Sequence, residues 1–351
     1  MIKLSRLLFI LFLLLNPVSQ SYASALQQII GTQAMSSKYR FTSDDAVVEQ
    51  AKRMIQMGTT MIKIQITSGI HFDTIVAMPF DTIFIWWRSE SYAWADGMTE
   101  AEIQAEYIAT YDYVKKLLMN YSKQEKTFFI GHWEGDWYLI SDKELNSNPS
   151  KIRLQGMIDW LNIRQKAIDD ARRDVGVNTL SKVYQYAEVN RVRDAMVKNL
   201  DRVVNKVLPY TNVDYVSYSA YDVQNESQTI INETIQYIEN RITAKATVPG
   251  HRVFIGEFGI PAMSVNFNSV DHEMKNREIM MKFLKTSAIY ILYWQMYNNE
   301  IKNNVHVGYW LIDNNNNYQK LYYTFADLYK AQKGFKDMRQ ETLTWLDARR
   351  V

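Results

Sequence analysis

The chain is 351 residues long, and its 40 Lys and Arg nearly balance 38 Asp and Glu. Lys3 and Arg6, an unbroken run of nine apolar residues over 7–15 and the small-x-small sequence Ala23-Ser24-Ala25 mark residues 1–25 as a secretory signal, cleaved after Ala23 or Ala25. Lys3 and Arg6 are two of the 40 basic residues, so the remaining 38 match the 38 acidic ones; formal neutrality argues against nucleic acid or a polybasic membrane surface as partner. A nine-residue apolar run is about half of the roughly 20 residues that cross a bilayer, so no stable membrane span is expected after cleavage, and the destination is secreted or periplasmic. The absence of cysteine excludes disulfides, thiol nucleophiles and thiolate metal sites.

No linker, repeat or low-complexity stretch divides residues 26–351, which read as one domain. In chain order, β-rich runs occupy 28–32, 60–66, 82–87, 127–133, 181–187, 213–219, 252–257 and 288–293. Between them the apolar spacing predicts helices over 42–58, 99–121, 156–174, 192–207, 227–244 and 272–285, and 67–81 has room only for a short one. Eight strand–helix units in this length predict an α/β fold, a single (β/α)8 TIM barrel with the strand 2–3 unit shortened. An open doubly wound sheet is the competitor, but residues 31–34 after the first strand lack a Gly-rich phosphate turn.

In such a barrel the chemistry comes from the C-terminal ends of the strands. Glu134 follows strand four, Glu188 ends strand five and Glu257 ends strand seven. Carboxylates abutting apolar runs are expensive to desolvate and need a reason, an ion pair or cap at the rim being the simplest. Strands four and seven face each other across the barrel mouth, so Glu134 and Glu257 can meet there. That is the pair a glycoside hydrolase needs, one carboxyl protonated and one ionised, and a retaining enzyme holds them about 5–5.5 Å apart. Trp133 and Trp137 around Glu134 suit the acid, and Gly256 and Gly259 flank Glu257.

The segment Arg-Val-Phe-Ile-Gly-Glu-Phe-Gly-Ile-Pro at 252–261 resembles the strand-seven nucleophile motif of the clan A glycoside hydrolases, the retaining barrel enzymes that include cellulase- and mannanase-like families. The run 289–295 is similar to the clan's last strand, whose tryptophan floors the catalytic subsite; the resemblance places Trp294 in that role. Residues 308–317, followed by Lys320, are similar to a closing hairpin and the start of the final helix. The resemblance further implies Glu257 as nucleophile and Glu134 as acid/base, with Tyr218 or Tyr221 donating to the nucleophile. One departure stands out: most clan members carry Asn before the acid/base, and this chain has Trp133. Glu188 is the alternative acid, or a polar contact to substrate.

Trp87 and Arg88, ending strand three, are candidates for the cleft wall, the alternatives being a core tryptophan and a rim ion pair. Asp136 either tunes Glu134 or caps the following loop. The five histidines, His132 among them, show no metal-ligand spacing, and no G-x-S-x-G serine motif occurs. The expectation is therefore a carbohydrate substrate with no metal and no cofactor. The rival is a glycosidase-like barrel that binds carbohydrate or a protein without turnover.

Overall fold

A computed structural model describes residues 28–66, 69–89, 93–140 and 144–349. The predicted signal lies outside them. Eight parallel strands close into a barrel: β1 (Ile30–Ala34), β2 (Met61–Gln65), β3 (Thr82–Trp86), β4 (Thr127–Gly131), β5 (Lys182–Val189), β6 (Tyr215–Ser219), β7 (Val253–Phe258) and β8 (Ile291–Tyr293). Closure is made by β1 against β8, with Ile30 opposite Ile291. A two-residue hairpin, β9 (Ile301–Lys302) and β10 (Val305–His306), follows β8.

The helices are α1 (Ala46–Met57), α2 (Gly69–Val76), α3 (Glu100–Asn120), α4 (Gly135–Leu139), α5 (Lys151–Val175), α6 (Val192–Lys198), α7 (Gln228–Glu239), α8 (Ser269–Leu284), α9 (Lys320–Gln332) and α10 (Met338–Asp347). Their ends carry the expected chemistry. Asp45 accepts from the first free N–H groups of α1, and Gly58 ends that helix at φ 101°. Thr99 and Glu102 form a reciprocal capping box on α3. Among the described residues no helix is long and apolar enough to cross a membrane.

Several boundaries differ from the sequence reading; α5, for one, begins at Lys151 rather than at 156. The helix expected over 192–207 ends at Lys198, because Asn199 turns left-handed at φ 54°, and a separate single turn covers Val203–Val207. Strand five runs on to Val189, so Glu188 lies inside it. The expected hairpin after residue 308 is a single antiparallel bridge between Ile312 and Tyr318 around a turn closed by Asp313 N–H to the Asn317 carbonyl, and an additional hairpin, β9 and β10, precedes it.

Alternation sorts the side chains of the barrel into two cores. Outward residues such as Ile62, Ile64, Ile83, Ile85, Val253 and Ile255 pack against the helices. Inward ones, Met61, Phe84, Trp86, Phe129, Tyr186, Phe254, Leu292 and Trp294, fill the barrel. Phe84 stacks on Phe129 with ring centres 4.7 Å apart. Gly131 leaves room for Tyr186: a Cβ there would lie 2.3 Å from its ring. This aromatic plug closes the lower barrel and forms the floor on which the upper residues stand.

Candidate active site

β7 does not alternate throughout. Ile255 and Phe258 both face the helices, and the register against β8 slips between them. The register against β6 slips at the same place. Two residues, Gly256 and Glu257, therefore occupy the inward turn where strict alternation would aim Glu257 at the helices. A β-bulge re-aims the carboxylate into the barrel mouth. Gly256 is required there, since a Cβ would lie 1.8 Å from Ser217 Oγ. Its carbonyl points inward and accepts from Gln33 Nε2 at 2.8 Å and Lys63 Nζ at 3.2 Å.

Glu134 lies three residues beyond β4, in the turn into α4. Its backbone N–H donates to Glu188 Oε1 at 3.0 Å. Three side chains hold this turn. Asp136 is fully buried and accepts from the N–H groups of Asn190, Arg191 and Val203, which ties the turn to the loop after β5. Asp136 thus holds loops together. His132 is buried, and its Nε2 accepts from the Glu188 N–H at 3.2 Å. Nδ1 must then carry the proton that goes to the Trp133 carbonyl at 2.8 Å. Burial lowers the His132 pKa from 6.5 to about 4, so the ring is neutral.

Glu134 and Glu257 line one cavity of about 750 Å³. Trp86, Trp133, Trp137, Tyr138, Tyr221, Trp294 and Tyr309 give it aromatic walls, with Gln65, Asn190, Arg191, Asp222, Asn299 and Glu300 as polar rim. Trp86 and Trp294 face each other with ring centres 6.0 Å apart, and Trp294 Nε1 donates to Glu300. The Trp294–Gln295 peptide is cis. Among the described residues no group of three or more acidic or histidine side chains could hold a metal.

Burial pushes the Glu134 carboxyl well above the ordinary range, and the charges of Glu257 and Glu188 push it further; the Trp137 indole and Lys63 pull only partly back. Burial also raises Glu257, to about 8. Lys63 lowers it, Glu188 raises it and a hydrogen bond from Tyr221 lowers it. The two carboxyls titrate as a coupled pair. Both carboxyls are raised above the ordinary range, and Lys63 and Tyr221 offset part of the rise on Glu257.

Glu134, Glu257, Trp133, Trp137 and Trp294 share this cavity, and four other candidate residues do not line it. Glu188 is fully buried beneath it, its Oε2 held by Lys63 at 2.9 Å and Ser217 at 2.7 Å. It offers no free face to a ligand, which corrects its reading as a substrate contact. Trp87 points outward because it follows the inward Trp86; it stacks on Tyr113 with ring centres 4.8 Å apart. Arg88 is exposed outside the cavity lining. Tyr218 faces outward between Ser217 and Ser219 and donates to Asp222. Tyr221, in the turn after β6, is the tyrosine on the carboxylate, with its hydroxyl 3.1 Å from Glu257 Oε2.

Lys63 was not singled out from the sequence. It is fully buried, and its ammonium lies 3.5 Å from Glu257 Oε1 and 4.5 Å above the Trp86 ring. The available signal was a lysine between apolar neighbours in a strand, in phase with the inward Met61.

The sequence matches no protein-family model and no curated protein. Solved glycoside hydrolase structures do share its fold. GH5_18 from Streptomyces cattleya in complex with GlcNAc superposes with a TM-score of 0.57 at 9% identity, covering 90% of this chain and 82% of that one. A family 39 glycoside hydrolase from the gut symbiont Bacteroides cellulosilyticus WH2 gives 0.56 at 10% identity, covering 88% and 64%. The GH2 beta-galacturonidase from Eisenbergiella tayi bound to galacturonate gives 0.53 at 13% identity, covering 87% of this chain and 51% of that one. The chain thus spans about half the length of the galacturonidase. At these identities the likeness shows the fold alone, a single (β/α)8 barrel.

Proposed function

We propose that this protein is an exported retaining glycoside hydrolase that cleaves O-glycosidic bonds of an oligo- or polysaccharide. The observation that carries the reading is the pair itself: two carboxyls, one in the turn after β4 and one on β7, that line one aromatic-walled cavity and are differently supported. Glu257, backed by Lys63 and Tyr221, attacks the anomeric carbon as carboxylate. The bond to the leaving oxygen breaks, and that oxygen takes the proton from Glu134. Glu134, now ionised, removes a proton from water, whose oxygen displaces Glu257 and releases the sugar. The tryptophans offer flat faces to the C–H faces of sugar rings. Export rests on the N-terminal signal sequence.

A panel of activated aryl glycosides and polysaccharides tests this, with NMR of the first-formed anomer reading retention. Glu257→Ala should lose turnover and, with azide, yield a glycosyl azide of inverted configuration. Full activity in Glu257→Ala would remove the nucleophile assignment.

Trp133, where most clan members have Asn, supports a second reading, a barrel that binds carbohydrate without cleaving it. Its indole is about one-third exposed at the cavity edge, a stacking face with no amide to offer a sugar hydroxyl. Saturable oligosaccharide binding with no product from any glycoside would favour that reading.

A further inference from the structure

A lysine ammonium is costly to bury unless carboxylates or carbonyls surround it. Lys63 Nζ lies 2.9 Å from Glu188 Oε2, 3.2 Å from the Gly256 carbonyl and 3.5 Å from Glu257 Oε1, with no exposure to solvent. Glu188 is equally enclosed. Its Oε2 takes Lys63 and the Ser217 hydroxyl, and its Oε1 takes the Ser219 hydroxyl at 3.2 Å and the Glu134 backbone N–H at 3.0 Å. Four donors leave this carboxylate no room for substrate. One end of the pair touches the side chain of Glu257, and the other holds the backbone of Glu134.

We infer that Lys63 and Glu188 are positioning residues, a buried ion pair that fixes the Glu257 carboxylate through the ammonium and the Glu134 turn through its N–H. The inference rests on Glu134 and Glu257 being the catalytic pair. The other groups facing Glu257 are Glu134 from the turn after β4, Tyr186 from β5, Tyr221 from the turn after β6 and Tyr309 from the loop after β10. The tyrosines are neutral donors or aromatic walls, so Lys63 is the cation of the set.

A pair that acts electrostatically on Glu257 makes opposite changes when its two members are neutralised in turn. Lys63→Met removes an opposite charge within about 4 Å and raises the Glu257 titration by about one pH unit or more. Glu188→Gln removes a like charge and lowers it. The double variant falls between them. Damage to packing alone has no reason to give opposite signs.

The titration is read by carbon NMR of carboxyl-labelled glutamate in the full chain, the Glu257 signal being assigned by its loss in Glu257→Gln. Lys63→Met leaves Glu188 buried without its cation; if it does not fold, Glu188→Gln and the charge-free double variant carry the comparison. Glu188→Gln should fold and retain part of its turnover. Shifts of the same sign, or none in either variant, overturn the inference. So does loss of turnover in Glu188→Gln with full activity in Glu134→Gln, since Glu188 would then be the acid. Opposite shifts in a protein that hydrolyses no glycoside keep the positioning pair and remove the glycosidase reading. Hydrolysis with an unmoved titration does the reverse.

Discussion

The Tyr221 hydroxyl donates to Glu257 Oε2 at 3.1 Å, while Glu257 Oε1, equally buried, has no hydrogen-bond partner among the described residues. Oε2 is therefore held by a hydrogen bond, while Oε1 faces the Lys63 ammonium at 3.5 Å. Tyr221 itself is raised well above the ordinary tyrosine range by burial, so it stays a donor.

Tyr221→Phe deletes that donor. A hydrogen bond to the charged form lowers a carboxyl pKa, so its loss raises the Glu257 value from about 8. In the proposed mechanism Glu257 attacks in its ionised form. The ascending limb of the kcat/KM profile should then move to higher pH, and kcat below the limb should fall by about tenfold, one pH unit of displacement. An unchanged profile would separate Tyr221 from the nucleophile.

Gly256→Ala tests the bulge. The new Cβ would lie 1.8 Å from Ser217 Oγ and 3.3 Å from Glu188 Oε2, so β6 and β7 must part or the bulge must slip. Overpacking of this kind costs about 1–3 kcal/mol. Thermal unfolding should show that loss, and activity should fall further than stability because Glu257 is re-aimed. A variant with native stability and activity would show that the bulge is not needed.

The alternation of strands and helices was legible because β-branched and aromatic runs, caps and Gly stops are local signals; Asp45, Thr99 and Gly58 cap helix ends near the bounds expected from the spacing. Glu134 and Glu257 stood out as charges beside apolar runs. What stayed hidden depends on register. Whether Trp86 or Trp87 faces inward turns on a single residue of phase, and Tyr221 reaches Glu257 from the turn after β6, where strand alternation no longer applies. Strict alternation would have put Glu257 on the wrong side, and only the paired register slips of β7 reveal the bulge. Lys63 was concealed because its partner Glu188 lies 125 residues further along the chain.

His132 gives a stability prediction with a defined sign. Its folded pKa, about 4, lies below the unfolded value of 6.5. Between those values the unfolded chain takes up a proton that the folded chain refuses, so stability falls as pH drops from 6.5 towards 4. The gap corresponds to about 3 kcal/mol at the acid end. Urea unfolding at pH 7 and pH 4.5 should show a smaller difference for His132→Gln than for the parent. Equal pH dependence in both would mean that His132 is not the neutral, buried group described.

Adjacent tryptophans of β3 and its end should part company on substitution. Trp86 faces Trp294 across the cavity floor, whereas Trp87 is clamped outside the barrel between Tyr113 and the Arg164 guanidinium, 4.9 Å from its ring. Trp87→Ala removes burial, a stacked ring and a cation–π contact, and should destabilise by about 2–4 kcal/mol. Oligosaccharide affinity at temperatures where the variant is folded should be unchanged. Trp86→Leu keeps apolar bulk over the plug but loses the flat face, and should weaken oligosaccharide binding by about tenfold, the equivalent of one aromatic contact near 1.4 kcal/mol. Calorimetric titration against unfolding curves separates the two. If Trp87→Ala weakened binding as much as Trp86→Leu, the outward phase of Trp87 could not be right, and the inward set of the third strand would have to be reassigned.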